Sequence, residues 1–376
     1  MIKRTISEKC LELATKFPIL TITGPRQSGK TTLAKSLFPQ HEYLNLEDLD
    51  ERTFAEEDPR GFLKRFSGGV IFDEIQRVPS LLSYLQGIVD NDPQKGKFIL
   101  TGSHQFELIQ SINQSLAGRT AMIKLLPFSL SELNSALDLD QQMINGFYPR
   151  IYQDQIEAND FYASYFETYV ERDLRNMANI SDLRLFTKFV RLLATQAGQL
   201  INYSNLSNDL GVSQPTIKKW LSLLDASYLV FLLPPYFANL NKRLIKTEKI
   251  YFVDTGLLCY LLGIENIQHL KSHPLRGNVF ENLIVMDFLK KRLNSGKNSN
   301  LFFYRDRSGL EIDLVLESAN SVDLLEIKSA ETPYPKFADN MKKVVLDKEI
   351  KTKTVIYAGE KEQNLDGIIF QAWAKY

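Results

Sequence analysis

Cysteine is scarce. Cys10 and Cys259 are the only two among 376 residues, far apart and each in apolar surroundings. That excludes a disulfide framework and leads us to expect buried free thiols in a reducing compartment. Histidine is nearly as rare, and His41, His104, His269 and His273 lack metal-ligand spacing, so they read as ordinary surface or packing residues. Excess charge of one sign is also missing, because 45 Lys and Arg balance 45 Asp and Glu. Any affinity for a polyanion must come from a local patch. Long apolar runs are absent too; the longest, Tyr228 to Pro234, is far too short to span a bilayer. No membrane partner is expected. The opening residues show no signal-peptide pattern, so the cytoplasm is the expected location. There is no internal repeat and no low-complexity segment.

What the chain does have is enough apolar residue, 44%, to bury more than one core. Its length predicts two or three domains. From Pro18 to about Glu132, short apolar runs alternate with helical ones. Tyr43–Leu46, Val70–Phe72, Phe98–Thr101 and Met122–Leu125 suit a mostly parallel sheet covered on both faces, with a helix at Leu81–Val89. The fold class is therefore α/β.

Gly24-Pro25-Arg26-Gln27-Ser28-Gly29-Lys30-Thr31 fits G-x-x-x-x-G-K-[ST]. It lies between an apolar run, Pro18–Thr23, and a helical one, Thr32–Phe38. That context turns the loop's N–H groups and the helix N-terminus toward phosphates. Residues Gly24 to Thr32 are the expected nucleotide-binding set, with ATP or GTP as ligand. Lys30 is expected on the β- and γ-phosphates, and the Thr31 hydroxyl on Mg²⁺. Val70-Ile71-Phe72-Asp73-Glu74 is a strand ending in two acids. Asp73 is the expected second Mg²⁺ residue, and Glu74 is expected to polarise the attacking water. A further strand ends in Thr101-Gly102-Ser103; Ser103 is the preferred residue for orienting water against the γ-phosphate, with Thr101 the alternative. Arg119 is a candidate for stabilising charge on the transferring phosphoryl group, in cis or from a neighbouring subunit. Arg26 could serve similarly or anchor the loop. A homo-oligomer is required only if Arg119 acts in trans.

These segments resemble the AAA-type ATPases paired with a C-terminal domain of unknown function, within the archaeal-type ATPase group. The resemblance rests on Gly24–Thr32, Asp73-Glu74-Ile75-Gln76-Arg77-Val78-Pro79, Leu100–Ser103 and Leu116-Ala117-Gly118-Arg119. It continues through Tyr148-Pro149, Tyr169-Val170-Glu171-Arg172-Asp173 and Gly277-Asn278-Val279-Phe280-Glu281, so it covers nearly the whole chain. It implies ATP rather than GTP.

After Pro149 the pattern changes. Residues 1–150 read as the P-loop ATPase domain, 151–185 as a helical connector or lid, 186–262 as a winged-helix domain and 263–376 as a nuclease-like α/β domain. Tyr203–Leu221 has helix-turn-helix form, with Leu206, Leu210, Val212, Ile217 and Leu221 as its core. Gly211 permits the turn and Ser213 caps the second helix, where Pro215 is tolerated. Gln214, Thr216, Lys218 and Lys219 are expected toward a DNA groove, and Lys242, Arg243, Lys246 and Lys249 on a wing. From 186 to 250, eight basic residues face only Asp209, Asp225 and Glu248. The excess suits phosphate contact, although a winged helix can also be a protein-packing module.

In the C-terminal part, Glu281 is expected on a helix, Asp313 on one strand and Glu326-Ile327-Lys328 on the next. Alternation puts Glu326 and Lys328 on one face. This resembles the PD-(D/E)xK nuclease fold, with Glu281, Asp313, Glu326 and Lys328 matching its pattern. The resemblance implies a Mg²⁺-binding cluster, with or without cleavage. The leading expectation is an Mg²⁺-dependent ATPase acting on DNA, in duplex, branched or other non-duplex form. The alternatives are a nucleotide-dependent switch or scaffold for a protein partner, and an ATP-licensed nuclease.

Overall fold

The structure, a computed structural model, describes residues 2–103, 115–133, 138–174, 180, 182–236 and 247–376, the side chains of 171–174 excepted. Five short strands build the first sheet: β1 (Ile19–Thr23), β2 (Glu42–Asn45), β3 (Val70–Asp73), β4 (Phe98–Gly102) and β5 (Thr120–Lys124). They run in the order β2-β3-β4-β1-β5, and every pairing is parallel. Side-chain alternation gives each strand two apolar faces. Val70 and Phe72 enter one core with Phe62 and Leu85, while Ile71 enters the other with Leu20, Ile22 and Leu33. Both faces are thus covered, as a parallel sheet requires. The P-loop leaves the carboxyl end of β1, which lies between β4 and β5, and feeds the helix Lys30–Leu37.

A helical layer follows. The helix Ala158–Tyr165 continues into wider π-type turns over Phe166–Leu174. A helix Leu183–Ala194 precedes the pair Tyr203–Leu210 and Gln214–Ala226. Two antiparallel strands, β6 (Val230–Leu233) and β7 (Lys249–Phe252), close this part.

The long helix Arg276–Asn294 leads into a second sheet. Its strands are β8 (Leu301–Arg305), β9 (Glu311–Glu317), β10 (Ser321–Lys328), β11 (Glu349–Tyr357), β12 (Gln363–Leu365) and β13 (Ile368–Ala372), in the order β12-β13-β11-β10-β9-β8. β8 to β10 form an antiparallel run, whereas β11 lies parallel to both β10 and β13. A single apolar core extends from Phe128 and Phe147 through Phe189 and Leu224 to Phe280 and Ile327. It seats the helical layer against the C-terminal sheet. Within the helical part, Asp254 accepts from Phe147 N (2.7 Å) and the Tyr162 hydroxyl (2.6 Å).

Candidate functional site

Gly24 stands where only glycine fits, because a Cβ there would lie 2.1 Å from the Leu125 carbonyl oxygen, at a φ of 153°. Gly29 closes the loop at a φ of 91° and hands the chain to the helix. The Lys30 ammonium is buried and donates to the loop carbonyls of Gly24 (3.1 Å) and Pro25 (2.8 Å). Burial lowers its pKa, opposed by the charges of Glu74 and Asp73. The Ser28 hydroxyl is buried and, among the described residues, has no hydrogen-bond partner, a donor inside the loop.

The two acids at the end of β3 have different surroundings. Asp73 accepts from the Thr31 hydroxyl (2.9 Å), from the Tyr43 hydroxyl (2.9 Å) and from Thr101. A hydroxyl and a carboxylate side by side are a donor pair for a hard divalent cation that keeps its remaining contacts for phosphate and water. Glu74 has a left-handed backbone, φ 56° and ψ 46°. That is uncommon for a residue with a side chain and is found at functional sites. Its carboxylate accepts from Ser103 (3.0 Å) and from Gln76, and its N–H donates to Thr101 (3.4 Å). Thr101 and Ser103, weighed as alternatives from sequence, therefore both reach the acid pair, Thr101 bonding Asp73 and the Glu74 N–H and Ser103 the Glu74 carboxylate.

Two of the three supporting residues, Tyr43 and Arg4, lie outside the motifs, while Gln76 lies within Asp73–Pro79. Tyr43 and Gln76 hold the two acids. Arg4 braces the loop from outside, donating to the carbonyls of Ser28 (3.0 Å) and Leu126 (2.6 Å) and pairing with Glu132 (3.1 Å). Burial lowers the Arg4 pKa, and Glu132 opposes that. A cavity of about 360 Å³ adjoins the loop, between Gly29, Thr32 and Leu33 on one side and Ile2, Leu11 and Phe128 on the other.

Arg119 is a correction. It precedes Thr120, which pairs with Ile19 at the start of β1, while the P-loop follows Thr23 at the other end. Five residues of strand, about 16 Å, separate the two. Arg119 is bonded to Asp90 at 2.6 and 2.8 Å. A role in cis is excluded by position, leaving only the route from a neighbouring subunit. Arg26 turns toward Glu47 (3.8 Å) and the Tyr169 ring, the arrangement of an anchor.

The expected helix pair is present. Asn202 caps its first helix and Ser213 its second, and Gly211 makes the turn at a φ of 67°. Leu206, Leu210, Ile217 and Leu221 are buried, while Val212 is half-buried. Gln214, Lys218 and Lys219 are exposed and Thr216 is half-buried. Lys242, Arg243 and Lys246 lie outside the described residues. Lys249 is a second correction: instead of standing on an exposed wing it is 2% exposed.

In the C-terminal sheet, Asp313, Glu326 and Lys328 come together as expected. Lys328 donates to Asp313 (3.0 Å) and Glu326 (2.6 Å), and the Ile327 N–H donates to Asp313 (2.8 Å). Burial, then the neighbouring Asp313 charge, pushes Glu326 up to about 9. Burial alone would raise Asp313 as well, but the Lys328 and Lys249 ammonium charges outweigh it and hold the acid below the ordinary range. Glu281 does not join as a free carboxylate: it accepts from the Tyr251 hydroxyl (2.6 Å) and lies 3.5 Å from the Lys249 ammonium. Among the described residues no three His, Cys, Asp or Glu side chains converge as a metal site. The expected Mg²⁺ set of this cluster is therefore not assembled, because lysines stand between its acids.

Family models match three consecutive stretches: an AAA domain over residues 16–134, a domain of unknown function (DUF8612) over 136–268 and a domain of unknown function (DUF4143) over 276–376. The uncharacterized protein Rv2008c of Mycobacterium tuberculosis is 30% identical over 353 residues, covering 92% of this chain and 77% of its own. The chain belongs to the AAA-type ATPases with a C-terminal DUF4143 domain. An uncharacterized protein of Haemophilus influenzae is 25% identical over 314 residues, covering 73% of this chain and 74% of its own. Among solved structures, the Walker-type ATPase PABY2304 of Pyrococcus abyssi has a TM-score of 0.44 at 15% identity, covering 69% of this chain and 96% of its own. The RuvB Holliday junction branch migration motor of Thermotoga maritima has a TM-score of 0.33 at 17% identity, over 62% of this chain and 90% of its own. Among the described residues no helix of this family member is long and apolar enough to cross a membrane.

Proposed function

We propose that this chain binds ATP with Mg²⁺ at the P-loop, hydrolyses it, and uses the cycle to act on DNA. One observation carries the hydrolytic part: Glu74, held by Ser103 and Gln76 on a left-handed backbone, stands directly beside the acid that binds Thr31. A carboxylate so placed orients water and receives its proton. Lys30 would exchange its bonds to Gly24 and Pro25 for bonds to phosphate oxygens, a charge-assisted gain. Ser28 would add its hydroxyl. Thr31 and Asp73 would hold Mg²⁺, which neutralises phosphate charge when bound. The largely apolar cavity beside Gly29 and Thr32 is the place for the adenine ring.

The DNA part rests on the helix pair and on β6 and β7, which we read as a winged helix. The second helix presents Gln214, Lys218 and Lys219 to solvent, and a helix of this kind lies in the major groove. In this reading residues 1–150 are the ATPase unit, 151–185 a connector, 186–262 the DNA-binding unit and 263–376 a nuclease-like fold without an assembled metal set. Arg119 serves only if copies of the chain assemble. The test is DNA affinity as a function of salt for wild type and Lys218→Ala/Lys219→Ala. Loss of two phosphate contacts lowers the slope of log K against log salt by about 2. An unchanged slope and affinity would remove this helix from the interface.

A further inference from the structure

Lys249 sits far from where a hairpin lysine belongs. Its ammonium lies 2.6 Å from Glu311 Oε1 and 3.5 Å from Glu281 Oε1, and the residue is 2% exposed. Glu281 comes from the long helix, Glu311 from β9, and Lys249 from the strand β7 that belongs to the helical layer. The other oxygen of Glu311 meets Arg305 at 3.2 Å. On the far side of the same cluster, Lys328 bridges Asp313 and Glu326. One oxygen, Glu326 Oε1, is buried with no hydrogen-bond partner among the described residues.

A buried carboxylate that stays ionised needs a compensating cation. A divalent metal would gather such oxygens at one point, since Mg²⁺ and Mn²⁺ prefer oxygen ligands. An ammonium compensates the same charge but carries three hydrogens and a stem, which hold the acids apart. The Glu326 oxygen is a further buried acceptor of the cluster without a hydrogen-bond partner among the described residues.

We propose that Lys249 is an internal latch: its ammonium fills the place between Glu281 and Glu311 that a divalent cation would take, so the C-terminal cluster stays closed to metal while β7 is docked. The contact joins the DNA-binding unit to the C-terminal sheet. Metal binding and undocking of β7 are then linked, since a cation and the lysine compete for the same carboxylates.

The test uses the full chain without nucleotide and Mn²⁺ alone, titrated calorimetrically, with circular dichroism to establish folding. Lys249→Met is expected to bind one more Mn²⁺ per chain than wild type, and Lys249→Met/Glu311→Gln to return to the wild-type stoichiometry. A folded Lys249→Met protein without the added site would overturn the proposal, as would an added site that survives Glu311→Gln. If Lys249→Met does not fold, amine acetylation of the wild type read by mass spectrometry decides. Lys249 should react at least about tenfold more slowly than the exposed Lys218, and Glu311→Gln should accelerate it. Equal rates at Lys249 and Lys218 would overturn the latch.

Discussion

Tyr228 is hydrogen-bonded to Thr23, with 2.8 Å between the two hydroxyl oxygens. Thr23 donates its own proton to the Ile123 carbonyl (3.2 Å), so Tyr228 is the donor. Thr23 immediately precedes Gly24 of the P-loop, and Tyr228 lies just past the helix Gln214–Ala226. Tyr228 also has a positive φ, 56°, rare for an aromatic residue. One buried bond thus spans the distance between the nucleotide loop and the proposed DNA-reading helix.

Tyr228→Phe should keep the fold and nucleotide binding but weaken the response of ATP turnover to DNA. Loss of one buried hydrogen bond costs about 1 kcal/mol, with an added penalty if Thr23 finds no other donor. The measurements are a denaturant midpoint and ATPase rates with and without DNA. Undiminished stimulation would mean the two sites communicate by another route.

Arg4→Met should be far more costly. It leaves the buried Glu132 carboxylate unpaired and removes the brace on Ser28. Breaking a buried pair from one side typically costs about 3–5 kcal/mol. Urea unfolding checks the size, and a loss below about 1 kcal/mol would show that Glu132 finds other partners.

Glu326 makes stability depend on pH. Its ordinary value is 4.5 and burial raises it to about 9 in the folded chain. The folded state therefore holds a proton that the unfolded state releases. This contribution is fully present below pH 4.5 and is lost as pH rises toward about 9. Glu326→Gln should flatten the fall in stability across that window, read from thermal midpoints at several pH values. A variant that falls as steeply as wild type would place the titration elsewhere.

What could be read in the chain was local. The glycines of the P-loop, the apolar strand before Asp73-Glu74, the Gly211 turn and the Ser213 cap each act within a few residues, so their chemistry shows in spacing. What escaped depends on partners far along the chain. Arg4 meets Glu132 across 128 positions, Tyr43 meets Asp73 across 30, and Tyr228 meets Thr23 across 205. No periodicity encodes those pairings. Lys249 misled because a lysine after a basic stretch reads as solvated; its carboxylate partners lie 32 and 62 residues downstream, as Glu281 and Glu311. Arg119 misled because a motif gives order along the chain, not the end of the sheet at which a residue emerges. The parallel pairing of β11 with β10 likewise requires a crossover that the alternating pattern does not announce.

The most direct measurement is steady-state ATP turnover by the purified chain, alone and with single-stranded, duplex and branched DNA, with Glu74→Gln beside it. A general base typically contributes 10² to 10⁴, so Glu74→Gln should lower turnover by about 100-fold or more while ATP still binds. At least one DNA form should raise the wild-type rate. Wild-type turnover in Glu74→Gln would contradict the assigned chemistry, and a rate indifferent to every DNA would contradict the coupling to DNA and direct attention to protein partners.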